Sequence, residues 1–156
     1  MLHVALFEPE IPPNTGNIAR LCAATGAELH IVGATGFRMD DRTLKRAGLD
    51  YWEHVKLSRH IDLDALHSAL PTSRFVYLTT KSDRPYVDWQ FEPDDCLVFG
   101  PETRGLPESI LHANADRCLT IPMPSGNVRS LNLATSVGVV LYEALRRLGY
   151  LTGERA

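Results

Sequence analysis

Three short segments of this chain hold polar and glycine residues at spacings that can do chemistry. The first is Asn14-Thr15-Gly16-Asn17-Ile18-Ala19-Arg20, where an apolar run turns into a helical pattern. Polar groups at the carboxyl end of a strand in an open α/β sheet lie where ligands usually bind. Helix capping accounts for Asn14 and for Asn17, and a solvated helix surface for Arg20. The second segment, Leu97 to Pro107, runs an apolar stretch into a loop with Gly100, Gly105, two prolines and Glu102. A glycine there lets a ligand approach the main chain, because no Cβ stands in the way. Glu102 can accept from ligand hydroxyl or amine groups, although a tight turn into a helix near Pro107 explains the same residues. In the third, Ile121-Pro122-Met123-Pro124-Ser125-Gly126 leads through Val128-Arg129-Ser130-Leu131-Asn132-Leu133-Ala134 into a helical pattern. Ser130 suits the N-cap, and Asn132 then falls inside the first turn of an apolar helix, where capping does not explain it. A helix N-terminus also offers unpaired N–H groups to a ligand.

These segments need strands and helices to hold them, and the pattern supplies both. His3 to Phe7, Leu29 to Val32, Arg74 to Thr79, Cys96 to Phe99 and Cys118 to Ile121 are short apolar runs bounded by turn residues, read as strands. Asn14 caps the first predicted helix, in which Ile18, Leu21, Cys22 and Thr25 share one face and which Gly26 ends. Thr43 to Ala47 and Asp62 to Leu70 read as shorter helices, with a less regular stretch between them. Leu133, Val137, Val140, Leu141, Ala144, Leu145 and Leu148 form an apolar stripe over about four turns, closed by Gly149. Such alternation predicts an α/β fold: a mainly parallel sheet with helices on both faces. No internal repeat or linker divides the chain, so residues 1–156 are taken as one domain.

Composition narrows the function classes. The 44% hydrophobic and 22% charged fractions are those of an ordinary globular chain. The longest apolar stretch, Val137 to Tyr142, is too short to span a bilayer, and no signal peptide opens the sequence. Cys22, Cys96 and Cys118 form no CxxC pair and are read as reduced, mostly buried thiols of a cytoplasmic protein. A net charge of −3 supplies no general affinity for nucleic acid, so any RNA contact must be local. No GxGxxG follows the first strand and no P-loop lysine motif occurs, which excludes the common dehydrogenase and NTPase readings. The six histidines show no HxxxH or HxH pairing, and no metal site is expected.

Taken in order, Asn-x-Gly-Asn-x-x-Arg, Phe-Gly-Pro-Glu-x-x-Gly-Leu-Pro, and Ile-Pro-Met followed by Arg-Ser-Leu-Asn-Leu resemble the three motifs of the SPOUT methyltransferases. The opening from Glu8 to Asn17 and the Arg46-Ala47-Gly48-Leu49-Asp50-Tyr51 segment narrow the likeness to the single-domain tRNA (cytidine/uridine-34) 2′-O-methyltransferases. The resemblance covers essentially the whole chain.

The likeness implies a C-terminal trefoil knot, which periodicity and spacing do not show and which is rare among folds at large. It implies a homodimer with the cofactor site at the subunit interface, and S-adenosylmethionine as methyl donor, leaving S-adenosylhomocysteine. Carried over by position, Leu78, Thr79, Gly100, Glu102, Ile121, Met123, Ser130 and Leu131 would line the cofactor pocket. Arg20 and Asn132 would serve catalysis, and Asn14, Arg42 and Arg46 would contact the substrate. A guanidinium resists deprotonation, so Arg20 suits phosphate binding, ribose orientation and charge stabilisation better than the role of base. The implied partner is the tRNA anticodon stem-loop, whose unpaired nucleotides a small enzyme can reach. Arg38, Arg42, Lys45 and Arg46, offset by Asp40 and Asp41, would form a partly basic face. A nucleotide-binding regulator without catalysis would need neither Arg20 nor Asn132. The nearer rival is the same chemistry on another tRNA or ribosomal nucleotide.

Overall fold

The computed structural model describes residues 1–38 and 54–152. The predicted Thr43–Ala47 helix and the side chains of Arg42, Lys45 and Arg46 lie outside them. Within them, strands β1 (His3–Phe7), β2 (Glu28–Val32), β3 (Leu57–His60), β4 (Phe75–Leu78), β5 (Cys96–Phe99) and β6 (Cys118–Leu119) form one sheet. Its order is β3-β2-β1-β5-β4-β6, and every pairing is parallel.

Parallel strands need crossovers, and helices supply them on both faces. The period-2 alternation sorts the strand side chains. Leu2, Val4, Leu6, Leu29, Ile31, Val76, Leu78, Leu97, Phe99 and Leu119 face helices α1 (Pro12–Thr25) and α4 (Leu133–Arg147). Ala5, Val32, Phe75, Tyr77, Cys96, Val98 and Cys118 turn the other way, toward Leu66 of α2 (Leu63–Ala69) and Leu111 of α3 (Glu108–Ala113). The stripe on α4 behaves as the sequence predicts: Val137, Val140, Leu141, Ala144 and Leu145 are buried, with Leu133 and Leu148 packed at its ends.

Four local details depart from the pattern. β3 occupies the stretch that reads as irregular. Its sequence, Leu-Ser-Arg-His, lacks an apolar run because the strand lies at the sheet edge and pairs only with β2. Helix α1 begins before Asn14: Pro12 and Pro13 take the first two helical positions, where a missing N–H costs nothing, and Asn14 is a buried third residue. At α4 the N-cap is Asn132 and not Ser130. The Asn132 Oδ1 accepts from the amides of Ala134 and Thr135 at 2.9 and 3.3 Å. β6 stops at Leu119, but its path continues, since Thr120 N–H donates to the Arg84 carbonyl and the Tyr86 N–H to the Thr120 carbonyl.

All three cysteines are free and buried. Burial pushes the Cys22 thiol up to about 12, and burial together with the neighbouring Asp95 carboxylate raises Cys96 as well. A thiol reacts through its thiolate. At pH 8 the native protein should therefore react slowly with Ellman's reagent, and all three thiols should titrate at once after unfolding in guanidinium. Rapid reaction of Cys22 or Cys96 in the native state would contradict this packing.

Candidate active site

The sheet order brings the motif loops together. β5, β4 and β6 are neighbours, and Leu78 pairs in register with both Phe99 and Leu119. The next residue on each strand, Thr79, Gly100 and Thr120, therefore leaves the sheet at one level. Around these carboxyl ends lies a cavity of about 340 Å³, within the range of roughly 300–1,000 Å³ common for small-molecule sites. All eight residues predicted for the cofactor border it: Leu78 and Thr79 from β4, Gly100 and Glu102 after β5, Ile121 and Met123 after β6, and Ser130 and Leu131 before α4.

Close approach of main chain shapes this cavity. A Cβ on Gly100 would stand 2.5 Å from the Gly105 carbonyl carbon and against the Leu106 nitrogen. The loop folds back over Gly100 through a hydrogen bond from the Gly105 N–H to the Pro101 carbonyl at 2.9 Å, with Gly105 at φ 68°. Only glycine fits under that turn.

Glu102 has a second task. Its carboxylate accepts from the backbone N–H groups of Glu10 and Ile11 at 2.9 and 2.7 Å, and from Asn14 Nδ2 at 3.3 Å. The opposite loop replies, because Glu10 accepts from the Thr103 N–H and hydroxyl at 3.0 and 2.7 Å. Those two bonds hold the Glu10 carboxyl below its ordinary range. Asn132 Nδ2 donates to Asn14 Oδ1 at 3.0 Å. A continuous polar chain, Asn132–Asn14–Glu102, thus joins the three sequence motifs.

Not every predicted residue meets at the cavity. Asn14 and Asn132 stand behind its wall, where their side chains are engaged in this chain of bonds. Arg20 is exposed on α1 and does not line the cavity of its own chain. Arg129, to which the sequence assigns no role, does line it, as do Lys81 and Arg104. Lys81 pairs with Glu108 at 2.7 Å and Arg104 with Glu8 at 3.4 Å. The position of Arg129 at the head of Arg-Ser-Leu-Asn-Leu is the one signal that could have marked it. A larger cavity of about 730 Å³ lies beside the first and shares Thr79 and Lys81 with it. It touches none of the three motif loops and is crossed by the Lys81–Glu108 pair, so the smaller cavity is the candidate site.

A cavity among the loops after β4, β5 and β6 is where an open parallel α/β sheet binds a ligand, and comparison with known proteins supplies the class, that of the SPOUT methyltransferases. The chain belongs to the SpoU rRNA Methylase family, whose sequence model matches residues 1–142. It is 52% identical over 151 residues to the tRNA (cytidine(34)-2'-O)-methyltransferase of Escherichia coli (strain K12), covering 96% of both chains. It superposes with TM-score 0.89 and 48% identity on a protein solved for structural insights into the 2-OH methylation of C/U34 on tRNA, covering 96% of this chain and 97% of that one. The AdoMet-bound rRNA methyltransferase of Sinorhizobium meliloti aligns with TM-score 0.80 at 28% identity, over 94% of this chain and 56% of that one.

Two substitutions separate the jobs of the loop. Gly100→Ala should fold less stably and lose S-adenosylmethionine binding by calorimetry, because the turn over residue 100 must open. Glu102→Gln places an amide NH2 against the donors of the Glu10–Asn14 turn and should lower unfolding free energy by about 1–3 kcal/mol in a urea titration. An unchanged urea midpoint for Glu102→Gln would show that the clamp contributes nothing.

Proposed function

We propose that this chain is an S-adenosylmethionine-dependent 2′-O-methyltransferase acting on the ribose of the tRNA wobble nucleotide, cytidine-34 or a modified uridine-34. The observation that carries the reading is the convergence of the second and third motif loops, with the end of β4, on one cavity at the strand ends. The cavity suits the donor. Leu78, Ile121 and Leu131 offer apolar walls for an adenine, and the main chain of Gly100, which also borders the cavity, is assigned to hydrogen-bond its edges. When bound, S-adenosylmethionine supplies a methyl group on a sulfonium, which breaks its C–S bond as the ribose oxygen forms the new O–C bond. Holding the hydroxyl in line and at near-attack distance is the chain's main contribution.

The 2′-hydroxyl must release its proton, which passes to solvent, and its oxygen develops negative charge as it does so. Arg20 is assigned to stabilising that charge and orienting the ribose phosphate. Because Arg20 lies outside its own chain's cavity, the reading includes a homodimer in which it serves the partner's site, as the family likeness implies. Arg42 and Arg46 are assigned to anticodon stem-loop contact, and Arg129, which lines the cavity, is assigned to the same task. The knot belongs to the same proposal: after β6 at the sheet edge, the chain returns across β4 and β5 to pack α4 on α1.

Labelled methyl transfer to total tRNA from a strain lacking the enzyme, followed by nucleotide mapping, tests the proposal. Label on the ribose of nucleotide 34 supports it; label on another nucleotide keeps the chemistry and overturns the target. Arg20→Ala should lower the transfer rate on the order of 10²-fold or more while leaving cofactor affinity nearly intact. Loss of cofactor binding in that variant would overturn the role given to Arg20.

A further inference from the structure

The amino end of the sheet, opposite the cavity, holds a second chemically distinctive group. His3 and Glu28 are the first residues of β1 and β2 and face each other in register. His30, two residues along β2, projects from the same face as Glu28. The donor atoms His3 Nδ1, His30 Nε2 and Glu28 Oε2 form a triangle with sides of 3.0, 3.3 and 4.0 Å. The point equidistant from all three is about 2.0 Å from each, the length of a zinc–nitrogen or zinc–oxygen bond.

We propose that His3, Glu28 and His30 form a binding site for a divalent transition-metal ion of zinc-like chemistry. Two imidazoles and one carboxylate are a donor set that such ions accept, leaving a further position for water. Both rings are almost wholly buried, at 8% and 3% exposure, and their orientation is fixed by packing. Glu28 is half-buried and forms the side open to solvent, by which an ion can enter.

The hydrogen bonding around the triangle fits ligation. A metal-bound imidazole usually donates its other N–H to a fixed acceptor. His30 has that arrangement, since its Nδ1 lies 2.9 Å from Nε2 of His60 on β3. With Nε2 on the ion, the His30 proton sits on Nδ1 and donates to His60. His3 ligates through Nδ1 and keeps its proton on Nε2, so both rings bind as neutral imidazoles and no net proton is released. The Met1 ammonium, two residues before His3, is paired with Asp94 at 2.8 Å.

The spacing of the histidines in sequence conceals this group. Its members come from neighbouring parallel strands, so no HxH or HxxxH pattern is required.

The test is a titration of the full chain, without a polyhistidine tag and stripped by chelator, with Co²⁺ followed by visible ligand-field absorption. The expected result is one saturable site per chain with the intensity of four-coordinate cobalt, displaced by Zn²⁺. Glu28→Gln and His60→Asn should each weaken it by at least about tenfold, and His30→Gln should abolish it. Should His30→Gln not fold, the half-buried Glu28→Gln still decides the matter. Absence of a saturable band in the wild type overturns the proposal. So does identical titration by wild type and Glu28→Gln, or a thiolate charge-transfer band, which would place the ion on cysteine.

Discussion

The carboxylate of Glu102 is the interaction on which the site's construction depends. β1 and β5 are adjacent strands, so the loops that follow them run side by side, each bringing polar backbone to the same edge. Helix α1 opens with two prolines and no side-chain cap, which leaves the amides of Glu10 and Ile11 as the donors needing partners. Glu102 reaches across from the next loop and accepts both. Charge-assisted bonds of this kind contribute about 1.5–3 kcal/mol each, and negative charge is favoured near a helix N-terminus. Glu10 answers by holding Thr103, so the two loops are locked from both sides. That lock fixes the turn over Gly100, and with it one wall of the cavity.

Asn14 carries the constraint to the third loop. Its amide nitrogen donates to Glu102 and its oxygen accepts from Asn132, whose own oxygen caps α4. One short polar chain therefore ties the start of α1, the β5 loop and the start of α4. The apolar contact of α1 with α4 through Ile18, Cys22, Val137 and Leu141 acts in parallel, fixing the helices along their length while the polar chain fixes their ends. Asn14 and Asn132 thereby shape the site from behind its wall. The Asn132 side chain meets two amides and Asn14, which fixes the backbone just after Ser130 and Leu131.

Much of this was readable in the sequence, and the gaps have physical causes. β1 and β5 follow from continuous apolar runs because both faces of a central parallel strand are buried, whereas the edge strand β3 needs no such run. Ser130 and Asn132 are both good N-caps two residues apart, and the choice is made by a tertiary partner, Asn14, that no local pattern contains. Six of the eight cavity residues were legible through the second and third motifs, which follow β5 and β6, while Leu78 and Thr79 came from the family likeness and are brought there by the place of β4 between those strands. Glu102 was legible as a carboxylate beside a glycine turn, but its bonds to Glu10 and Ile11 required the register of β1 against β5. The His3–Glu28–His30 triangle required the register of β1 against β2 in the same way.

The charge distribution follows from the same architecture. With a net charge of −3, the chain cannot rely on a general field to gather an RNA. At the cavity rim Lys81 and Arg104 are each offset by a glutamate, Glu108 and Glu8, that also braces a loop. Arg129 carries no ion pair among the described residues, so the uncompensated charge at the rim stands on the Arg-Ser-Leu-Asn-Leu segment, directly beside the strand ends. Positioning by a few placed cations, in preference to broad attraction, matches a reaction whose barrier is lowered mainly by holding one hydroxyl in line with one methyl group. In the dimer we propose, Arg20, which does not line the cavity of its own chain, is the cation assigned to the partner's site.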